Sequence, residues 1–240
     1  MGIEKFTAVF IILILPGICN AQELRGAQKD SGSLYSYVQH KYGLDPDLVT
    51  GTQFYNDYHR VLNHPYHQAE KSLPGNVTIS GKTFDDLLIQ YDLFNQWLVL
   101  EYQGLPGGAR KIILEPLSTE AFFLDGFYFE KKVLDKRGPL FYQLLQAEEF
   151  SLHIHWQKKL HQTSNNLDYA ESFSDPIRTY FLEYNGKISS FSKRKNLVSA
   201  LPPGAQKPTR KYLKTNRIRF QHAGMNELLE LLDFMASVQH

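Results

Sequence analysis

The sequence predicts a mainly β protein, with an antiparallel sheet followed by short helices at the C-terminal end. Between about Leu48 and Phe191, apolar and polar residues alternate with a period of two, and turn residues recur every eight to twelve positions. After Phe191 the apolar spacing lengthens to that of an α-helix. We therefore expect an α+β fold whose antiparallel sheet is curved or partly closed into a β-barrel meander. The pattern leaves open whether the sheet closes.

Turn residues divide the predicted sheet into strands. Asn185-Gly186 is the strongest hairpin signal, because both residues tolerate the positive φ of a type I′ turn. Residues 161–176 are rich in Ser, Asn and Asp and are expected to form a long loop. The predicted strands cover residues 77–80, 83–91, 94–102, 111–115, 121–124, 127–133, 140–146, 150–157, 177–184 and 187–191.

The clearest alternation lies in residues 150–157. One set of side chains is apolar and the set between them is polar, so we expect one face of this strand to pack and the other to be polar. The apolar set is Phe150, Leu152, Ile154 and Trp156, and the polar set is Ser151, His153, His155 and Gln157.

Three short helices are predicted after the strands. Residues 193–201 form the first, which Pro202-Pro203 ends, and residues 208–215 form the second, with Pro208 in its first turn, where proline is tolerated. Residues 225–238 form the third, because their Leu and Met residues fall at helical spacing.

The N-terminal residues have the features of a secretory signal. Residues 6–15 are almost all apolar, a run too short to cross a bilayer, and small residues precede an expected cleavage after Ala21. A buried core segment, a membrane anchor and lipoprotein processing at Cys19 remain alternatives. The predicted organisation is a signal peptide (1–21), a loosely ordered segment (22–46), an antiparallel β domain (47–192) and a basic helical segment packing on the sheet (193–240).

The sequence lacks the residues that several kinds of catalysis and cofactor binding require. Cys19 is the only cysteine and would leave with the signal peptide, so the mature chain would have no thiolate nucleophile and no disulfide. There is no Gly-x-Ser-x-Gly motif and no glycine-rich phosphate loop, and the sequence predicts no catalytic residue and no cofactor. With 26 Lys and Arg against 25 Asp and Glu, the chain has no overall charge that favours nucleic acid. We expect no transmembrane span in the mature chain.

Charge is nevertheless unevenly distributed. Between Tyr184 and Asn226 there are ten Lys or Arg residues and no Asp or Glu. Such a segment can bind an anionic partner such as lipid headgroups, lipopolysaccharide phosphates or acidic glycans. The alternative is that the basic segment lies over acidic parts of the sheet or is simply solvated. The candidate anion-binding residues are Lys193, Arg194, Lys195, Arg210, Lys211 and Lys214.

Histidines and aromatic residues give two further candidates. His153 and His155, two apart on a predicted strand, could both reach one metal ion, although solvated or hydrogen-bonded histidines are the alternative. A second group is His59, His64 and His67. The chain also has 16 Phe and 14 Tyr residues, which either form the core or line a hydrophobic groove for a lipid or sugar.

Two stretches carry a resemblance to a known family. Residues 75–84 (GNVTISGKTF), with 91–96 (YDLFNQ) and 98–100 (LVL), resemble a family of uncharacterised exported proteins of Bacteroidota-type bacteria. The final part is similar too, through Phe181-Leu182, Asn185-Gly186-Lys187, Tyr212-Leu213-Lys214 and the leucine-rich last helix. The resemblance spans most of residues 50–238, implies a location in the cell envelope and brings no catalytic residues.

These observations favour one function and leave two alternatives. We expect an exported, periplasmic or envelope protein without chemistry of its own, which binds an apolar or anionic envelope ligand such as a lipid or a glycan. One alternative is a protein–protein adaptor or structural envelope component that contacts an envelope protein. The other is a metal-dependent hydrolase that uses the histidines.

Overall fold

In a computed structural model of the protein, the strands precede the helices along the chain. The structure describes residues 45–104, 107–163 and 169–238, so the predicted signal peptide and nearly all of segment 22–46 lie outside the described residues. The described elements are β1 (Gly51–Gln53), β2 (Val61–Leu62), β3 (Leu73–Ile79), β4 (Lys82–Asp92), β5 (Trp97–Gln103), β6 (Ala109–Leu114), β7 (Thr119–Leu124), β8 (Phe127–Lys132), β9 (Leu140–Ala147), β10 (Phe150–Gln157), β11 (Leu160–Gln162), β12 (Glu171–Phe173), β13 (Ile177–Tyr184), β14 (Lys187–Phe191), α1 (Arg194–Ala200), α2 (Pro203–Thr215) and α3 (Met225–Ser237).

Eleven strands form one antiparallel sheet in the order β1-β6-β5-β4-β3-β7-β8-β9-β10-β13-β14. The predicted mainly β class with short C-terminal helices is confirmed, and the sheet does not close into a barrel. A small second sheet has the order β11-β12-β2. Its strands β11 and β12 contradict the prediction that residues 161–176 form only a loop. Both strands are too short to show a period, and β12 pairs in parallel with the distant β2.

Ring contacts across the sheet show that it is strongly curved. The Tyr91 ring of β4 and the Phe141 ring of β9 have centroids 6.0 Å apart, although three strands lie between β4 and β9. In a flat sheet those two strands would be about 19 Å apart. At the end of the sheet, the amide of Lys158 donates to the carbonyl of Leu93 at 3.2 Å. The β4–β5 turn therefore lies against the chain that leaves β10.

Aromatic side chains fill the concave side of this sheet. Tyr91, Phe122, Phe129 and Phe141 are all buried and contact one another, with Phe122 stacked on Phe129 at 4.6 Å. The helix α3 packs on β9 and β10 beside them. These residues form the core instead of lining a groove.

Three sequence predictions misplace an element boundary. β3 begins at Leu73, four residues before the predicted start at Val77. α2 begins at Pro203, five residues before the predicted start, because Pro203 and not Pro208 occupies the first helical turn. Residues 93–96 form a turn and β5 begins only at Trp97, whereas the sequence predicts a strand from Phe94. The remaining predicted strands and the helices 193–201 and 225–238 are present within a few residues.

The β4–β5 turn depends on the fully buried side chain of Asp92. Its Oδ1 accepts hydrogen bonds from the backbone amides of Phe94 and Asn95 at 2.8 and 2.9 Å, and its Oδ2 accepts one from Asn95 Nδ2 at 2.9 Å. The YDLFNQ motif of residues 91–96 is therefore explained by turn geometry.

Replacing Asp92 by Ala should lower the free energy of unfolding by about 1.5 kcal/mol, because the turn loses its buried acceptors. Urea denaturation measures the change. Asp85→Ala is the control, since it removes an exposed carboxylate from the same strand. Equal stability of the two variants would show that the Asp92 hydrogen bonds do not hold the turn.

Candidate functional site

The helices α1 and α2 present the basic residues because their apolar sides are buried. α1 buries Leu197 and Val198, and α2 buries Ala205, Thr209 and Leu213. The basic residues of α2, which are Lys207, Arg210, Lys211 and Lys214, share the opposite side of the helix. The side chains predicted to bind anions are all exposed, namely Lys193, Arg194, Lys195, Arg210, Lys211 and Lys214.

These exposed residues surround two neighbouring depressions. The first, called the helix depression, lies between α1 and α2 and has a volume of about 430 Å³. The second, the loop depression, lies between the start of α1 and the loop before α3, with a volume of about 670 Å³. Arg194 and Lys195 line both of them. The structure thus brings together five of the six predicted residues, while Lys211 lines neither depression.

No acidic side chain neutralises this surface within the described part of the chain. None of the ion pairs found there involves a Lys or Arg between Tyr184 and Asn226. Within the described residues, the basic segment therefore forms no ion pairs with acidic parts of the sheet. Arg194 is held in another way, since its Nε donates to the carbonyl of Ile218 at 2.8 Å. The result is a positively charged surface with one anchored cation.

Sequence reasoning missed two residues of the loop depression. Arg219 and His222 line it together with Lys193. Arg219 belongs to the acid-free run of basic residues, which was the available signal. His222 had no signal of its own, because only the fold of the loop between α2 and α3 places it there.

The structure gives His153 and His155 separate partners. His153 is fully buried, with its Nε2 2.9 Å from Glu183 Oε2 and its Nδ1 3.4 Å from Glu130 Oε1. His155 has its Nε2 3.1 Å from Gln96 Oε1, and burial, then Arg137, lowers its pKa to about 4. The expected polar face of β10 is thus buried, because neighbouring strands and loops supply polar partners.

A metal centre does not assemble at these histidines. The described residues contain no group of three or more His, Cys, Asp or Glu side chains placed to hold a metal ion. The two carboxylates near His153 lie on opposite nitrogens of its ring, so they do not converge on one point. His67, from the second histidine group, is buried among aromatic rings instead of facing His59 or His64 as a ligand.

A cavity of about 800 Å³, larger than either basic depression, lies elsewhere, beside β5 and β6. Its lining combines the rings of Tyr66 and Tyr102 with the charged side chains of Glu70 and Arg110. Burial and the nearby Asp92 raise the pKa of Tyr66 to about 12, so this phenol stays protonated near neutral pH. Lys111 lines it as well, so Glu70 offsets one of two basic side chains, and the excess of positive charge is smaller than in the helix and loop depressions.

No protein-family model matches the chain, and neither a curated protein nor a solved structure shows significant similarity to it. Among the described residues, no helix is both long enough and apolar enough to cross a membrane.

Proposed function

We propose that this protein is a non-enzymatic binding module for an anionic ligand of the cell envelope. The observation that carries the proposal is the convergence of exposed Lys and Arg side chains on the helix and loop depressions, without an acidic partner among the described residues. Cations on rigid helices attract anions and lose little conformational freedom when they bind them.

The other functions have less support. An apolar ligand would need a hydrophobic groove, but the concave face is filled by Phe122, Phe129 and their neighbours. A metal-dependent hydrolase would need converging ligands, which the described residues do not supply. An adaptor could use the same basic surface, in which case its partner would be an acidic protein.

The envelope location in this proposal depends on sequence features alone. Export rests on the signal-like residues 1–21 with cleavage after Ala21, and on the resemblance to exported proteins. N-terminal sequencing of the protein from its own host should find Gln22 as the first residue.

The proposal is tested by measuring binding to anionic probes at several salt concentrations. The protein should bind vesicles that contain phosphatidylglycerol, or polygalacturonate, and both affinities should fall as salt rises. Replacing Lys193, Arg194 and Lys195 together by Gln should weaken binding at least tenfold, because three charges leave the two depressions.

The matched control replaces Lys71, Lys136 and Lys159 together by Gln. These lysines are also exposed, so the change in net charge is the same, but they line neither depression. The control should bind nearly as well as the unmodified protein. Equal losses in the two triple variants, or no binding of any anionic probe, would contradict a specific site.

A further inference from the structure

We infer that the two basic depressions continue into a third one, so that the protein binds an extended acidic polysaccharide with Arg178 at the far end of the site. This inference rests on the proposed anion-binding function and specifies its ligand class and length. None of the six residues predicted from the sequence lies in the third depression.

The third depression, called the strand depression, has a volume of about 580 Å³ and lies where β10 ends and β13 begins. Gln221 and His222 line both it and the loop depression, just as Arg194 and Lys195 line both the loop and helix depressions. The helix, loop and strand depressions therefore lie one after another, and each shares two lining residues with the next. Together they form what we call the basic groove. A ligand that contacts all three must be extended.

The floor of the basic groove is the loop 218–223, whose carbonyl groups are held by three side chains. Arg194 Nε donates to the carbonyl of Ile218 at 2.8 Å, the Tyr180 hydroxyl to that of Phe220 at 2.5 Å, and Arg178 Nη1 to that of Ala223 at 2.5 Å. The loop is fixed before any ligand arrives, so binding orders little backbone.

Arg178 is the best-anchored cation of the basic groove. Its guanidinium lies 4.4 Å from the ring centroid of Trp156, and its buried Nε has no hydrogen-bond partner within the described structure. A guanidinium held over an aromatic ring is suited to a planar carboxylate. The unpaired Nε leaves hydrogen-bonding capacity that a ligand can satisfy after a small movement.

The strand depression favours a sugar over a polyphosphate. Asp175 and Ser174 line it together with Arg178. A carboxylate and a hydroxyl can accept hydrogen bonds from sugar hydroxyl groups, whereas a polyphosphate has no donors to offer. An acidic polysaccharide supplies both the negative charges and the hydroxyl groups.

The helices also argue against a lipid surface as the ligand. None of the exposed large apolar side chains found among the described residues lies on α1, α2 or α3. Proteins that lie in a bilayer interface bury apolar side chains there in addition to their basic ones. The helix side of the basic groove therefore lacks the apolar contacts of a surface that inserts into a membrane, and Ile177 of the strand depression is the exposed large apolar side chain of the groove.

Calorimetric titration with galacturonic acid oligomers of increasing length tests the inference. We expect the dissociation constant to fall at least tenfold between the dimer and an oligomer long enough to fill all three depressions, and then to level off. Arg178→Gln should weaken binding of the long oligomer at least fivefold while changing that of the dimer less than twofold. Arg137→Gln is the matched control, because Arg137 also lies over an aromatic ring, that of Phe181, but outside the groove.

Arg178 also holds the loop, so its variant is checked for folding by thermal denaturation. If it does not fold, His222→Ala replaces it, since this exposed side chain lines the junction of two depressions. Equal affinity for short and long oligomers, or an unchanged affinity in the variant, would overturn the inference. Polyphosphate binding with the same dependence on length and on Arg178 would overturn the sugar assignment. If vesicles bind and the oligomers do not, anion binding stands and this inference fails, whereas no binding of any probe refutes both.

Discussion

Replacing Phe129 by Ala should lower the free energy of unfolding by about 4 kcal/mol, well above the loss expected for Asp92→Ala. Phe129 is fully buried at the centre of the concave face. Its ring stacks on Phe122 at 4.6 Å and meets Tyr91 at 5.4 Å and His67 at 5.3 Å. Phe122 lies on the paired strand β7, Tyr91 on β4 and His67 in the segment before β3. These rings are held by separate stretches of backbone, so they cannot move together to fill the space that Ala leaves.

Chemical denaturation followed by tryptophan fluorescence measures this effect. Tyr128→Ala is the control, because Tyr128 neighbours Phe129 on β8 but is 43% exposed on the other face. Tyr128→Ala should lower the free energy of unfolding by less than about 1 kcal/mol, because substitutions at the surface usually change it by about 0.5 kcal/mol. Similar losses for both variants would mean that the ring cluster is not the main source of stability.

As the pH falls, His67 should destabilise the folded protein at pH values well above those at which the carboxylates of the protein take up protons. Burial, and then the charges of Arg178 and Lys158, lower the pKa of His67 to about 3 in the folded protein. In the unfolded chain this imidazole takes up a proton below about pH 6.5. The unfolded state then binds one more proton than the folded state, so stability falls as pH falls. The loss from His67 alone should reach about 3 kcal/mol at pH 4.

The free energy of unfolding should be measured by urea titration between pH 6.5 and 5, above the range in which carboxylates take up protons. His67→Leu should reduce the slope against pH by one proton, because Leu fills the aromatic site without titrating. Part of the slope should remain, since burial also lowers the pKa of His155 and His64. Phe127→Leu is the control, as it disturbs a ring in contact with His67. If His67→Leu keeps the original slope, His67 is not the acid-sensitive group.

The sequence predicted local structure well wherever a turn was encoded by two adjacent residues. Asn185-Gly186 turns β13 into β14 with φ values of 50° and 71°, as a type I′ turn requires. Asp86 shows what local patterns miss. Asp86 lies within β4 and has a φ of 55°. This backbone conformation lets Phe84 and Leu87 face the same side of the strand, which breaks the period of two. β12 was missed for a different reason, because it has only three residues and one of its two partners, β2, is more than a hundred residues away.

The distribution of charge was the useful sequence signal for the site, whereas the shape of the site could not be predicted from the sequence. The acid-free run between Tyr184 and Asn226 identified Arg194 and Lys195 without any knowledge of the fold. Arg178 precedes that run and carries no distinguishing local pattern. It reaches the groove only because β13 pairs with β10 and places it beside Trp156. The alternating pattern of β10 was misleading about its histidines, because it predicted a polar face for a strand that is covered on both faces.

Among the described residues, the open sheet of eleven strands ends in two edge strands without a further partner, where another chain could add a strand and begin aggregation. One edge is β1, which has only three residues, and the other is β14, which has five and starts at the exposed Lys187. Short edge strands and lysines at their ends discourage such pairing. The concentration of basic residues near β14 should therefore also keep these molecules apart in solution, and neutralising the charge with a bound polyanion would remove that protection.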